Sequence, residues 1–312
     1  MIVYGGDYEH TLEVSSQRQG LDLDYQVTGR AQLFAKVLRR QSFDACEFSL
    51  SNYIMLRDRG ADWLTAIPVF PNRAFRHGTI VVRKNSDIAD FADLAGRRVG
   101  ISDYTMTGGV WCRGIIFEQY GVHWSQMEWL SGESPRFPAP KAARVTASPI
   151  DLEEALASGA IDALFLPRNR DALLPPAQRR FRPLLQDWRA AELSYFRATQ
   201  IYPISHVIVL PRETIARHAK LPDALFTAFS HSMARAKARR LATSFLPWGA
   251  AMWDEVMETF GGDPVPYGLT AGNLRTVSKL QDYLIEQQLI GRGFEAAELF
   301  EPVRLVEGNV AA

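Results

Sequence analysis

The sequence predicts an α/β protein built as two lobes, and three observations carry that expectation. At 312 residues the chain is long enough for two cores rather than one. Short apolar runs of strand length alternate with helix-period segments along its first two-thirds. Two apolar strands, at residues 78–83 and 204–210, flank a region with strand–helix units of its own. A chain that crosses to a second domain and later crosses back has this pattern. The division expected is 1–85 for the first part of lobe 1, 86–202 for lobe 2, and 203–312 for the rest of lobe 1 with a helical tail.

Taken in order, a first strand over Ile2–Gly5 ends on two glycines. The loop that follows presents Asp7, Tyr8 and His10 at the carboxyl end of that strand, where open α/β sheets bind ligands. A second strand is predicted over 21–27. A helix over 31–39 follows, with Leu33, Phe34, Val37 and Leu38 on one face. Residues 45–48 read as a strand opening into a helix capped by Ser49 or Ser51, and such a helix start is a seat for an anion. Glu47 stands in an apolar setting. It is either an acid with a raised pKa or a structural partner for an arginine, and the residues weigh these evenly.

The central stretch is Ile67-Pro68-Val69-Phe70-Pro71-Asn72-Arg73-Ala74-Phe75-Arg76-His77. Its prolines hold the backbone extended and stiff, and Arg73 and Arg76 carry the group best shaped to grip a carboxylate with two prongs. A solvated charge cluster is the plain alternative. The apolar company of Val69, Phe70, Phe75 and Ile80 favours a preorganised anion site.

Beyond it, strands are predicted at 80–83 and 98–101, with a turn at 85–87 and a short helix at 90–94 between them. Ser102 to Gly114 then supplies hydroxyls and glycines at the start of an amphipathic helix running to Tyr120. The glycine spacing matches neither the dinucleotide nor the Walker pattern, so a nucleotide site is rejected. Residues 133–149, rich in Pro, Ser and basic side chains, read as an irregular surface excursion. A helix over 151–157 stops at Gly159, and a buried strand over 161–166 delivers Pro167 and Arg168. Residues 175–185 read as a surface loop with Arg179 and Arg180 solvated. After a strand over 207–210 the chain is helical, with one break at 263–268.

Composition excludes several classes. Lys plus Arg and Asp plus Glu are 35 each, so no global field recommends nucleic acid or an anionic membrane as partner. No apolar run reaches membrane-spanning length. The N-terminus lacks the basic start, apolar core and cleavage site of a secretory signal, and Cys46 and Cys112 read as buried thiols. A cytoplasmic protein is expected. Neither Cys-x-x-Cys nor His-Glu-x-x-His spacing occurs, so no metal site is expected. A homodimer is the default for a soluble protein.

Several segments carry a resemblance. They are Phe43-Asp44-x-Cys46-Glu47-x-Ser49-Leu50-Ser51, the stretch from Ile67 to His77, and Val99-Gly100-Ile101-x-x-Tyr104-x-x-Thr107 with Trp111-x-Arg113-Gly114. Gly159-x-Ile161-Asp162-Ala163-Leu164 with Pro167-Arg168, Tyr202-Pro203-Ile204-x-His206, and Tyr267-Gly268 with Asn273 and Arg275 continue it in order. Together they resemble the 4,5-dihydroxyphthalate decarboxylase family. That resemblance implies the fold of type 2 periplasmic binding proteins: two α/β lobes, two interlobe crossovers and a ligand between them.

The substrate it implies is a small aromatic carboxylate, with carbon dioxide removed in the interlobe cleft without a cofactor. Arg73 and Arg76 are then expected to clamp carboxylate, with Arg113 or Arg168 closing from the other lobe. His77 is the first choice for the acid that protonates the ring, and Glu47 the second. His206 or His10 serves the phenol, while Ser49, Tyr104 and Thr107 donate hydrogen bonds. Two alternatives stand beside this reading. One is a non-catalytic solute-binding protein of the ABC-transporter type. The other, ranked last, is a metal-dependent decarboxylase using His77, His206, Glu47 or Asp7.

Overall fold

A computed structural model describes residues 1–16, 21–133, 135–166, 169–242 and 246–305. Their strands are β1 (Ile2–Gly5), β2 (Asp24–Val27), β3 (Ala45–Ser49), β4 (Leu64–Ile67), β5 (Ile80–Arg83) and β6 (Arg98–Ile101). The series continues with β7 (Glu128–Ser131), β8 (Arg144–Ala147), β9 (Ala163–Phe165), β10 (Phe181–Pro183) and β11 (His206–Pro211). The chain divides into two units. Unit 1 holds Met1–Arg73, His206–Leu274 and Phe294–Ala312; unit 2 holds Ala74–Ser205 and Arg275–Gly293.

In unit 1 the sheet order is β2-β1-β3-β11-β4. β1 pairs parallel with β2 and β3, and β11 runs antiparallel to both β3 and β4. Every residue of β3 and β11 is buried, the mark of central strands covered on both faces. Val3, Ala45, Ile67, Ile208 and Leu210 pack with Leu225 and Phe229 of the helix Leu221–Ala242.

In unit 2 the order is β10-β5-β9-β6-β7-β8, with β9, β6, β7 and β8 mutually parallel. Its main core joins Val82, Val99, Ile101, Ala163 and Phe165 to Ile116, Trp124 and Trp129. Four strands, β4, β7, β8 and β10, fall where sequence patterning predicted none. β8 lies inside the supposed excursion and β10 inside the supposed loop. Both are edge strands, so neither carries an apolar run or a clean alternation. Nor is Arg180 solvated alone: it pairs with Glu154 at 3.1 Å.

The predicted amphipathic helix over Thr107–Tyr120 is instead buried all round from Thr107 to Ile116. The reason is the C-terminal helix Ala271–Glu286, whose later part belongs to unit 2 rather than to lobe 1. The Tyr283 ring takes the place a side chain on Gly114 would need, and stands edge-on to Trp111 at 5.5 Å. Gln287 accepts from Arg113 Nε at 2.8 Å, and Glu286 from Trp124 Nε1 at 2.9 Å. The units also divide at 73/74 and 205/206, where the sequence placed the crossings at 85/86 and 202/203. Among the described residues no helix is long and apolar enough to cross a membrane.

Candidate functional site

Unit 1 gathers a polar group at the carboxyl ends of β1 and β3. Its centre is set by register. On β11, Ile208 lies opposite Glu47 and His206 opposite Ser49. Residues two apart share a face of a strand, so Glu47 and His206 become diagonal neighbours on one side of the sheet. His206 Nδ1 and Glu47 Oε1 meet in a hydrogen bond, with Glu47 fully buried and the His206 side chain 11% exposed. The imidazole thus keeps some exposure while its carboxylate partner has none. Phe34 stands edge-on to the imidazole at 5.3 Å.

The loop after β1 completes the shell. Gly6 N–H donates to Glu47 Oε2 at 2.7 Å and the Tyr8 hydroxyl to Oε1 at 2.8 Å. A glycine is needed at position 6, because a Cβ there would meet the Tyr8 ring at 2.6 Å. The Tyr25 hydroxyl holds the Gly6 carbonyl at 2.8 Å, and Asn72 Nδ2 reaches the Tyr8 oxygen at 3.5 Å. His10 stacks on Tyr8 with ring centres 5.1 Å apart. Its Nε2 lies 2.9 Å from the Pro71 carbonyl, which accepts only, so Nε2 carries the proton and Nδ1 is left as an acceptor.

Electrostatics sort these groups. Burial pushes the Glu47 carboxyl upward, but the hydrogen bond and charge of His206, with Gly6 and Tyr8, outweigh it and hold the group below the usual range. Of the two readings of Glu47 the raised pKa therefore fails: three polar partners beat desolvation, and the cation among them is a histidine, not an arginine. Burial, then the neighbouring carboxylate, pushes the Tyr8 phenol up, so it stays protonated. Burial also lowers His10, against the opposing pull of Pro71, and keeps it neutral at pH 7.

The other predicted residues make contacts of their own, some in each unit. The central stretch is cut between Arg73 and Ala74, so its two arginines belong to different units. Arg73 Nη2 donates to the Pro266 carbonyl at 2.9 Å and to Asn273 at 2.7 Å within unit 1. In unit 2, Arg76 is buried and bonded to Ser205, and its guanidinium lies along the first turn of the helix Thr107–Tyr120. A Cβ on Gly108 would meet the Arg76 Cζ at 3.3 Å. Arg76 and Ser205 thus form a second polar grouping, beside Gly108.

His77 is also in unit 2, buried, with Nε2 3.1 Å from Gln119 and its ring near Phe91 and Tyr195. Burial holds its pKa below the ordinary 6.5. Arg113 is fully buried, its guanidinium 3.8 Å from the centre of the Tyr104 ring. Ser49 caps its helix by position, without a side-chain cap bond, and its hydroxyl lies 3.3 Å from that of Ser51. Asp7 is exposed. Arg168 lies outside the described residues. Gly6, Tyr25 and Asn72 were not singled out from the sequence, although the glycine pair ending β1 was a signal for the first. Among the described residues no group of three or more His, Cys, Asp or Glu side chains is arranged to hold a metal ion.

Comparison with known proteins defines the class. Residues 7–241 match a family model described as the periplasmic substrate-binding protein of a phosphonate ABC transporter. The aliphatic sulphonate binding protein SsuA of Escherichia coli superposes with a TM-score of 0.59 at 18% identity, covering 100% of this chain and 94% of that one. The desulfurization enzyme DSZB superposes at 0.54 and 15% identity, with 96% of each chain covered. The chain therefore has the two-lobed α/β fold of periplasmic binding proteins, one shared by a binding protein and an enzyme.

Two curated relatives narrow it. A 4,5-dihydroxyphthalate decarboxylase of Comamonas testosteroni is 30% identical over 303 residues, covering 93% of this chain and 91% of the relative. A protein of the same name from Pseudomonas putida is 34% identical over 162 residues, covering 49% and 63%. The chain belongs to the 4,5-dihydroxyphthalate decarboxylase family.

Proposed function

We propose that this protein is a carboxy-lyase that removes carbon dioxide from a hydroxylated aromatic dicarboxylate such as 4,5-dihydroxyphthalate, giving protocatechuate. The observation that carries the reading is the Glu47–His206 pair, a buried ionised carboxylate on the Nδ1 of a partly exposed imidazole. Such a carboxylate fixes the ring and stabilises its protonated form. Family membership supports the substrate class.

In that substrate each carboxylated ring carbon lies para to a hydroxyl. Neutral His10, with Nδ1 as acceptor, takes the phenol proton and pushes electron density toward the carboxylated carbon. His206, protonated and backed by Glu47, delivers a proton to that carbon from Nε2. The resulting dienone loses carbon dioxide as the electrons of the C–C bond restore the aromatic ring, and His10 returns the phenol proton. The Tyr8 hydroxyl keeps Glu47 aligned. This moves ring protonation from His77, the first choice on sequence, to His206.

A second reading is solute binding without chemistry, favoured by the description of the matching family model. An ultraviolet assay with 4,5-dihydroxyphthalate, with and without a chelator, separates the possibilities. Conversion to protocatechuate that survives chelation supports cofactor-free acid–base chemistry. Activity lost with the chelator points to a metal. No conversion, with a ligand-dependent rise in melting temperature, supports the binding protein. A cytoplasmic location belongs to the same proposal, and cell fractionation tests it.

A further inference from the structure

The proposed reaction leaves a requirement that Glu47, His206 and His10 do not meet. An aromatic dicarboxylate keeps one carboxylate throughout, and that group needs a cation. The arginine expected to supply it in unit 1, Arg73, already spends its Nη2 on Pro266 and Asn273. The cations that crowd the loop after β1 are engaged as well. Lys237 pairs with Asp263, Arg239 with Glu13 and Arg240 with Glu9.

Arg30 differs. It is the first residue of the helix Arg30–Leu38, which follows β2, and β2 lies beside β1 in parallel register. Thr28 N–H donates to the Gly5 carbonyl at 2.8 Å, tying the end of β2 to the end of β1 just before the Gly6–Tyr8 loop. The Arg30 guanidinium accordingly lies close enough to Tyr8 for its charge to bear on the hydroxyl that donates to Glu47. It is half-buried, its helix has no acidic residue in the first turn, and no carboxylate pairs with it among the described residues. A partly desolvated arginine without an anionic partner, one phenol removed from an acid–base pair, is suited to receive a carboxylate.

We propose that Arg30 binds the retained carboxylate of the substrate in unit 1, with the Tyr8 hydroxyl setting its distance from the Glu47–His206 pair. The proposal rests on the reading of this site as one for an aromatic dicarboxylate, and its test does not need turnover. Binding of phthalate, which has both carboxylates and no hydroxyl, and of catechol, which has the reverse, is measured by calorimetry on the full chain. Arg30→Ala weakens phthalate about 10- to 100-fold, the loss of a charge-assisted contact, and leaves catechol unchanged. Arg30→Lys recovers part of the phthalate affinity, and a melting curve shows that both variants fold.

Phthalate bound by Arg30→Ala as by the wild type overturns the assignment. So does an equal loss of phthalate and catechol, which marks a structural role, and so does a wild-type protein that binds no phthalate. A wild type that binds phthalate through Arg30 but never converts 4,5-dihydroxyphthalate removes the decarboxylase reading and leaves the carboxylate site standing.

Discussion

His206 and His77, one in each unit, show how surroundings divide a single residue type. Both are largely buried. His206 ends on a carboxylate that three polar contacts, its own included, keep ionised, beside a loop that supplies Tyr8 and His10. His77 ends on a neutral amide, between Phe91 and Tyr195, and its Nδ1 has no hydrogen-bond partner among the described residues. A histidine held by a carboxylate stabilises its charge, whereas one held by aromatic rings loses it. In the proposed reaction the first passes a proton; the second is packed among aromatic rings.

The largest expected effect tests that contrast directly. Glu47→Gln and His206→Asn should each lower kcat by roughly 10²–10⁴-fold, the usual worth of an acid–base group, while His77→Asn stays within about tenfold. Steady-state kinetics with 4,5-dihydroxyphthalate, on variants shown to fold by circular dichroism, reads the difference. The reverse order of effects would invert the comparison.

Next in size is the buried cation of unit 2. Arg113 packs its guanidinium on Tyr104, donates Nε to Gln287, and faces the charge of Glu286. Arg113→Ala should destabilise the fold by about 2–4 kcal/mol through lost packing and an unpartnered Gln287, read from urea unfolding. A cost near zero would show that Arg113 is held for a ligand and not for the fold.

A smaller effect comes from pH. Burial lowers the pKa of His77 below 6.5, so the unfolded chain takes up this proton before the folded one does. Its share of stability is intact above pH 6.5 and declines as pH falls toward the folded value. His77→Gln should flatten that decline in melting temperature measured from pH 7.5 to 5. An unchanged slope would assign the acid sensitivity to other groups, His10 among them.

The smallest concerns Glu192, whose side chain accepts from Gly78 N–H beside His77. Burial is its dominant influence and pushes its pKa up from 4.5 to about 7. The unfolded carboxyl ionises first, so stability declines as pH rises from 4.5 to about 7 and stays reduced above. Glu192→Gln should therefore raise the melting temperature at pH 8 and leave it unchanged at pH 4. Between about pH 4.5 and 6.5 the two groups therefore oppose each other, the histidine's share of stability rising with pH while the carboxyl's falls.

What the sequence determined by itself was local. β1, β5 and β6 appear at the predicted residues because each is a short apolar run bounded by turn-forming or polar positions. Gly159 stops its helix in the left-handed region, at φ +82°, where a glycine has no steric penalty. The family segments, spread along the chain in order, made the two-lobed class readable. Glu47, His206, Tyr8 and His10 could each be named as candidates from residue type and loop position.

Tertiary structure alone decided which of them meet. Glu47 and His206 are 159 positions apart, and only the β3–β11 register makes them neighbours. A slip of one residue would send one of the two side chains to the opposite face of the sheet. The same holds for Arg73 and Arg76. Three positions apart in an extended stretch they read as one clamp, yet the unit boundary passes between them and each is held by its own unit. Whether Glu47 is an acid or an ion could not be read from its neighbours along the chain. That answer depends on how many donors the fold brings to a buried carboxylate, and here there are enough to outweigh its burial.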